Sequence, residues 1–198
     1  MFILGLTGSL GMGKTTTAAF FAEAGIPVHD ADAAVHRLYD GGAAATIEAA
    51  FPGTTRAGKV DRGKLAARAL DDPAALQRLE ALIHPLVRES ETRFLAEAQR
   101  QGAKIAVLDI PLLFETGAQR RVDAVVVASA PAEVQMARLR ERPGMTPAKV
   151  EAILGRQMPD REKRRRADFV VDTSRGFEAA RSQVAEILRA VARMPKRI

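Results

Sequence analysis

The fold is decided by Gly8-Ser9-Leu10-Gly11-Met12-Gly13-Lys14-Thr15, which matches the pattern G-x-x-x-x-G-K-[ST] at every fixed position. It lies between a short apolar segment, residues 2–6, and a segment of helical character. Glycines let backbone N–H groups approach phosphate oxygens, and the N-terminus of the following helix favours the same anion. The lysine supplies positive charge to the β- and γ-phosphates, and the threonine hydroxyl can bind Mg²⁺. The stretch predicts a nucleotide phosphate site with contacts from Gly8, Gly11, Met12, Gly13, Lys14, Thr15 and Thr16.

Other nucleotide-binding patterns fit this sequence less well. Gly11 and Gly13 begin a dinucleotide pattern G-x-G-x-x-G, and Asp30 and Asp32 follow about twenty residues later. The third glycine position is Thr16, however, and this alternative leaves the Lys-Thr pair unexplained. A GTPase would carry an N-K-x-D tetrapeptide, which the sequence lacks, and a helicase or motor would be longer. These observations favour a small-molecule kinase with a phosphate-binding loop (P-loop).

Short apolar segments alternate with segments of helical character along the chain. Strands are predicted at residues 2–6, 26–28, 105–108, 124–127 and 169–171. The alternation predicts an α/β fold of the P-loop NTPase type, a five-stranded parallel sheet with helices on both faces. We expect one domain over residues 1–198, with a helical acceptor-binding insertion over about 40–101 and an arginine-rich lid over about 138–166. Within the insertion, helices are predicted at 33–39, 46–51 and 64–70, and two more that meet at His84-Pro85.

The composition is that of an ordinary soluble domain, with 47% hydrophobic and 27% charged residues. Cysteine is absent, which excludes disulfides, thiolate metal sites and a cysteine nucleophile. No apolar run is long enough for a membrane span, and the start of the chain lacks the basic segment of a signal peptide. These observations predict a cytoplasmic protein with no membrane partner.

The net charge of +6 is concentrated in one part of the chain. Residues 138–166 contain ten basic and four acidic residues, which equals the surplus of the whole sequence. A basic patch of this size fits a phosphate-bearing ligand at least as well as a duplex nucleic acid. Aromatic residues make up only 5% of the chain, so there are few platforms on which single-stranded bases could stack. We therefore expect no nucleic-acid partner.

Motifs that match one kinase family run along the whole chain. They are the phosphate stretch, Asp30-Ala31-Asp32, His84-Pro85-Leu86, Pro111-Leu112-Leu113-Phe114-Glu115, Arg138 with Arg142, Arg156-Gln157 and residues 167–172. In combination they resemble the dephospho-CoA kinase family. The resemblance implies phosphorylation of the ribose 3′-hydroxyl of dephospho-CoA by ATP with Mg²⁺, the last step of coenzyme A biosynthesis. Family members usually have Gly at Ser9 and often an Asn-containing sequence at residues 172–176, so contacts near the adenine stay unassigned.

Several polar residues are candidates for the acceptor and metal sites. Asp32 is predicted to accept the proton of the ribose hydroxyl, and its alternative role is the N-cap of the next helix. Asp30 is predicted to hold the acceptor or metal-bound water, or else to stabilise the turn. Asp109 is predicted to hold Mg²⁺ through water, or to cap the next turn. Contact with the acceptor is also predicted for Glu115 and His84, which could instead be solvated or packed side chains.

Arginines of the basic segment are candidates for the lid. Arg138 and Arg142 are spaced i, i+4 on a predicted helix, so one face of that helix would present both to the ATP phosphates. Arg138 is further predicted to be catalytic, because a guanidinium can stabilise the charge of the transition state. Arg156 is another lid candidate. The run Lys163-Arg164-Arg165-Arg166 is predicted to be a solvated helix face, with attraction of CoA phosphates as the alternative.

Three other functions stay open from the sequence. They are another small-molecule P-loop kinase, an ATP-dependent nucleic-acid-binding module, and a catalytically silent CoA-binding regulator. The intact Lys14, Thr15 and Asp32 argue against the silent regulator. The oligomeric state stays undetermined.

Overall fold

The computed structural model describes residues 1–69 and 72–197, and its main element is a five-stranded parallel sheet. In chain order, the strands are β1 (Phe2–Thr7), β2 (Val28–Asp30), β3 (Thr55–Arg56), β4 (Lys59–Val60), β5 (Ile105–Asp109), β6 (Ala124–Ser129) and β7 (Phe169–Asp172). The large sheet has the order β2-β5-β1-β6-β7, and β3 and β4 form a separate antiparallel hairpin. The predicted parallel α/β sheet is therefore confirmed.

Helices occupy most of the chain between the strands. They are α1 (Lys14–Glu23), α2 (Ala31–Arg37), α3 (Ala44–Ala50), α4 (Arg62–Ala69), α5 (Pro73–Arg100), α6 (Ala132–Glu141), α7 (Pro147–Leu154), α8 (Asp160–Arg166) and α9 (Phe177–Val191). The segment Leu38–Gly42 follows α2 and has non-helical backbone at Gly41, and 3₁₀ turns lie at Ala118–Arg121 and Thr173–Arg175. Among the described residues, no helix is long and apolar enough to cross a membrane.

Strand β1 lies in the middle of the sheet because it is apolar on both sides. Leu4 and Leu6 are fully buried and pack with Phe21 of α1 and with α9. Gly5 points to the opposite side, where a Cβ atom would lie 2.6 Å from Leu113 Cδ1. A central strand that is covered on both faces reads as a continuous apolar run, which is why this strand was predictable. The phosphate stretch follows directly after this strand, so it lies at the centre of the sheet's carboxyl edge.

The chain divides into two compact units. The first, here called the phosphate-loop unit, comprises Met1–His29 and the chain from Ala98 onward. The second, here called the helical unit, is Asp30–Glu97, and its own apolar core includes Ile47, Phe51 and Leu65. The predicted organisation, one domain with an insertion over about 40–101 and a lid over about 138–166, stays a prediction.

The helical unit differs from its sequence prediction in one long element. Two helices were predicted to meet at His84-Pro85, whereas α5 continues through Pro85. A proline inside a helix removes one backbone hydrogen bond and costs about 3 kcal/mol. Leu79 and Ile83 lie one turn apart and are both buried in the core of the helical unit. Leu86 and Val87, which follow the proline, also pack against this core, so α5 is held on both sides of Pro85 and the packing offsets the cost of the proline.

A hairpin in the helical unit was missed from the sequence. Strands β3 and β4 are joined at Ala57 and Gly58, which both have positive φ, 50° and 75°. Two-residue turns of this kind usually carry Asn or Asp before Gly, so alanine hides the signal. The predicted helix at 64–70 corresponds to α4, which begins two residues earlier, and its last predicted residue, Leu70, lies outside the described residues.

Candidate functional site

The phosphate stretch forms a loop that turns directly into α1. Gly11 and Gly13 have positive φ, 79° and 81°, a conformation that glycine adopts without the steric cost of a Cβ atom. Gly13 is the N-cap of α1, and no acidic residue lies in the first turn of that helix. The loop therefore places the N-terminus of a ten-residue helix beside it, an arrangement that favours bound phosphate.

Hydrogen bonds to residues that are distant in the sequence hold this loop in place. Leu10 N donates to Gln157 Oε1 at 3.0 Å, and Gln135 Nε2 donates to Leu10 O at 2.7 Å. The Sδ atom of Met12 accepts from Ala130 N at 3.2 Å. Sequence reasoning missed Gln135, and it noted Gln157 only as part of a motif. The one available signal was that Gln135 lies one helical turn before Arg138.

Lys14 and Asp109, two predicted site residues, lie together. Lys14 Nζ is 2.6 Å from Asp109 Oδ1, and Asp109 is only 3% exposed. The parallel register of β1 and β5 pairs Leu6 with Asp109, so the two strands bring the end of β5 to the start of the loop. A charge-assisted bond of this length fixes the ammonium group at the carboxyl end of the sheet.

Thr15 and Thr16 lie in the first turn of α1, where Thr15 is exposed and Thr16 is half-buried. The next residue, Thr17, is buried and donates from Oγ1 to Gly13 O at 3.0 Å. Of the three threonines, Thr15 thus offers its hydroxyl most openly to a ligand. Hydroxyl and carboxylate oxygens such as those of Thr15 and Asp109 are the donors that Mg²⁺ prefers.

The two aspartates after β2 have different places in the fold. Asp30 is the N-cap of α2, and its Oδ1 accepts from Ala33 N at 2.9 Å. Asp32 lies inside the first turn of the same helix, so its alternative role as N-cap is wrong. The helix starts two residues earlier than predicted because Asp30 has the extended backbone that an N-cap requires. Asp30 shows the predicted turn-stabilising bond, whereas Asp32 is exposed in the first turn of α2 and does not cap it.

His84 and Arg156 are both exposed. His84 lies on the solvent side of α5, and Arg156 lies in the turn after α7. Thr146 caps α7 by accepting from Lys149 N at 3.3 Å. Contacts of His84 with the acceptor and of Arg156 with ATP stay predictions.

Arg138 packs against the phosphate loop, whereas Arg142 does not share its helix face. Arg138 Nη1 donates to Gly11 O at 3.3 Å and to Thr173 Oγ1 at 2.9 Å. The helix α6 ends at Glu141, and Arg142 has extended backbone with ψ 121°. The i, i+4 alignment predicted for the two arginines is therefore wrong, because Pro143 disfavours helical backbone in the residue before it. Arg142 is exposed, and its contact with ATP stays a prediction.

Glu115 contacts two residues of the basic segment 138–166. Its Oε1 accepts from Met158 N at 2.7 Å and lies 3.0 Å from Lys163 Nζ. Lys163 is 0% exposed, so the predicted solvated face is wrong at this position and holds only for Arg164, Arg165 and Arg166. Burial raises the pKa of Glu115, but the bonds from Met158 and Lys163 outweigh it and lower that pKa below its ordinary value. Acceptor contact by Glu115 stays a prediction.

Comparison with known proteins gives matches over almost the whole chain. A family model described as dephospho-CoA kinase (CoaE) matches residues 2–178. A dephospho-CoA kinase of Rhodopseudomonas palustris (strain BisB18) is 61% identical over 197 residues, which cover 100% of this chain and 99% of that protein. A crystal structure from Thermus thermophilus has a TM-score of 0.85 at 34% identity and covers 96% of this chain and 97% of that one. Shikimate kinase from Acinetobacter baumannii covers 97% of this chain and 93% of its own, with a TM-score of 0.53 at 20% identity, and so shares the P-loop kinase fold alone.

Proposed function

Because the chain belongs to the dephospho-CoA kinase family, we propose that it phosphorylates dephospho-CoA with ATP to give coenzyme A. The acceptor is the ribose 3′-hydroxyl, and the reaction is the last step of coenzyme A biosynthesis. The observation that carries this proposal is a complete phosphate loop in a chain that is similar to dephospho-CoA kinases over its full length. The loop supplies the donor site, and the family supplies the identity of the acceptor.

In the donor site, the loop and α1 bind the β- and γ-phosphates of ATP. Lys14 is the main charged group, because its ammonium is held at the end of β5 by Asp109. Phosphoryl transfer proceeds through a loose transition state, so catalysis depends on positioning and on charge stabilisation more than on covalent chemistry. Arg138 adds a second cation beside the loop, and its position against Gly11 O supports this role. Arg142 and Arg156 are the further arginines that we assign to ATP.

Mg²⁺ fits the same site. No group of three or more His, Cys, Asp or Glu side chains within residues 1–69 and 72–197 could hold a metal ion alone. Magnesium in kinases is typically held by one or two protein oxygens, several waters and the nucleotide phosphates. Thr15 and Asp109 would supply those protein oxygens, Asp109 through water. Bound there, Mg²⁺ neutralises charge on the β- and γ-phosphates.

In the acceptor site, Asp32 orients the ribose 3′-hydroxyl and accepts its proton. The support is that Asp30 serves as the N-cap of α2, so Asp32 is not needed for that purpose. A positioned carboxylate acting as general base contributes about 10²- to 10⁴-fold to a rate. Asp30, His84 and Glu115 are the remaining residues that we assign to acceptor binding.

The test is product formation by the purified chain. Mixed with Mg-ATP and dephospho-CoA, it should release ADP and CoA in equal amounts, as followed by chromatography. Shikimate, AMP, cytidine monophosphate and single-stranded DNA are run in parallel, and a sample with EDTA tests the need for Mg²⁺. ADP release with another acceptor, or release stimulated by DNA, without any CoA would overturn the proposed function.

A further inference from the structure

Thr173 is a buried polar residue that the donor site described above does not use. It follows β7 in a 3₁₀ turn and is 9% exposed. Its Oγ1 lies 3.0 Å from Met12 O and 3.2 Å from Ser129 O, and it accepts from Arg138 Nη1 at 2.9 Å. A hydroxyl has one proton, so it donates to one carbonyl at a time while accepting from the arginine. This hydroxyl thus connects the phosphate loop, the end of β6 and α6.

The bond to Met12 O bears on the donor site through the geometry of one peptide unit. Met12 C=O and Gly13 N–H belong to the same planar unit, and in a trans peptide they point in opposite directions. No cis peptide bond occurs within the described residues. A carbonyl held toward Thr173 therefore aims the Gly13 N–H away from Thr173.

Close packing reinforces this orientation. A Cβ atom on Gly13 would lie 2.9 Å from both Thr173 Cγ2 and Thr173 Oγ1. Thr173 therefore fills the space that a side chain at position 13 would occupy. The side chain of Thr173 thus both donates a hydrogen bond to the loop and packs closely against Gly13.

Thr173 also fixes Arg138. Arg138 Nη2 donates to Thr173 O at 2.6 Å, while Nη1 donates to Thr173 Oγ1 and to Gly11 O. The guanidinium is planar and rigid, so two bonds to one residue set its orientation as well as its position. The hydroxyl of Thr173 is one of these two acceptors.

We infer that Thr173 is a positioning residue for ATP, which sets the direction of the Gly13 N–H and the place of Arg138 through its hydroxyl. The inference rests on the proposed function of the loop as the ATP site. Thr173 touches no phosphate in this role, and it acts through Gly13 and Arg138.

The test compares Thr173→Val, which keeps the shape and loses the hydroxyl, with Thr173→Ser, which keeps the hydroxyl. Thr173→Val should weaken ATP binding, measured by calorimetry, by about tenfold, the effect of losing one or two buried hydrogen bonds. The KM for dephospho-CoA should change by less than about twofold. Thr173→Ser should keep the Kd for ATP within about threefold of wild type. If Thr173→Val does not fold, Thr173→Cys, whose thiol is a weaker donor, replaces it.

A matched control is Thr54→Val in the helical unit. Thr54 is buried, and its Oγ1 donates to Phe51 O at 2.6 Å, so this variant also loses one buried bond to a carbonyl. It should lower the Tm and leave the Kd for ATP unchanged. A Thr173→Val (or Thr173→Cys) protein that binds ATP as wild type does would overturn the inference, whatever its Tm. Failure of the wild-type protein to bind ATP would instead overturn the proposed function.

Discussion

The phosphate-loop unit and the helical unit differ in the side-chain hydrogen bonds that stabilise each of them internally. In the phosphate-loop unit, several of the bonds that shape the site join residues far apart in the sequence, as between Leu10 and Gln157 or Lys14 and Asp109. In the helical unit, the described side-chain hydrogen bonds of Asp30, Glu48 and Asp61 join residues close in the sequence. The carboxylate of Glu48 accepts from Gly53 N, five residues further along the chain, and from Thr55 N and Oγ1, seven residues further along.

This difference indicates a division of tasks. A donor site that depends on distant bonds requires the whole sheet to be folded before Lys14 and the loop glycines have their positions. The helical unit instead combines local bonds with its own apolar core. Changes within it should therefore alter acceptor use while ATP binding persists.

Lys14→Ala should reduce turnover more than any other substitution considered below. Removal of the ammonium group takes away charge stabilisation of the transition state, so kcat should fall by at least about 10²- to 10³-fold. The circular dichroism spectrum should stay close to that of wild type, because Lys14 is not part of the apolar core, whereas the Tm should fall because the buried Asp109 loses its ion pair. Lys64→Ala, an exposed lysine of the helical unit, serves as control and should keep full activity. Normal turnover by Lys14→Ala would contradict the donor site.

The next effect concerns the acceptor. Asp32→Asn should lower kcat by about 10²-fold or more and leave the Kd for ATP unchanged, because the amide cannot accept the hydroxyl proton. Asp40→Asn is the matched control, since Asp40 is an exposed carboxylate of the same unit whose nearest cation, Lys59, is 3.8 Å away. Steady-state kinetics and calorimetry together measure both quantities. An Asp32→Asn enzyme as fast as wild type would remove Asp32 from the proposed site.

Cavities in the two apolar cores should differ in their effect on acceptor binding. Ile47 in the helical unit and Ile187 in the phosphate-loop unit are both buried. Each Ile→Ala change should cost about 2–5 kcal/mol of stability and lower the Tm. Ile47→Ala should also raise the KM for dephospho-CoA with an unchanged Kd for ATP, whereas Ile187→Ala should not raise that KM. Equal losses of ATP and acceptor affinity in Ile47→Ala would argue against separate tasks.

The smallest effect is a pH-dependent one at Glu115. The pKa of Glu115 lies below its ordinary value, so its ionised form stabilises the native state above the unfolded-state pKa. This contribution is lost as the pH falls through the lowered pKa of the folded state. Glu115→Gln should therefore lower the Tm at neutral pH, by an amount that corresponds to about 1–3 kcal/mol, and the difference should shrink below about pH 4.

Thermal melts between pH 3 and about pH 8 measure this difference. Glu80→Gln, at an exposed carboxyl of α5, is the control and should show little difference at any pH. A constant Tm difference between wild type and Glu115→Gln across the range would mean that the charge of Glu115 is not responsible.

The sequence predicted the phosphate-loop unit better than the helical unit. Buried parallel strands are apolar runs, and the loop has fixed residue spacing, so both leave a strong pattern. The hairpin at Ala57 and the continuous α5 depend on packing within the helical unit, which a local pattern does not contain. Lys163 was misread for a related reason, because a run of charges does not reveal a partner such as Glu115 in a distant segment. Gln135 is a neutral side chain whose role appears only when the loop is folded against it.

Phosphorus NMR of the complete reaction, with wild-type protein, Mg-ATP and dephospho-CoA, tests the proposed transfer most directly. The γ-phosphate signal of ATP should disappear as one new phosphomonoester signal, that of the ribose 3′-phosphate of CoA, grows in proportion to ADP. Inorganic phosphate should not accumulate. Formation of ADP with inorganic phosphate and no phosphomonoester would contradict the proposed transfer, because the chain would then be an ATPase without an acceptor.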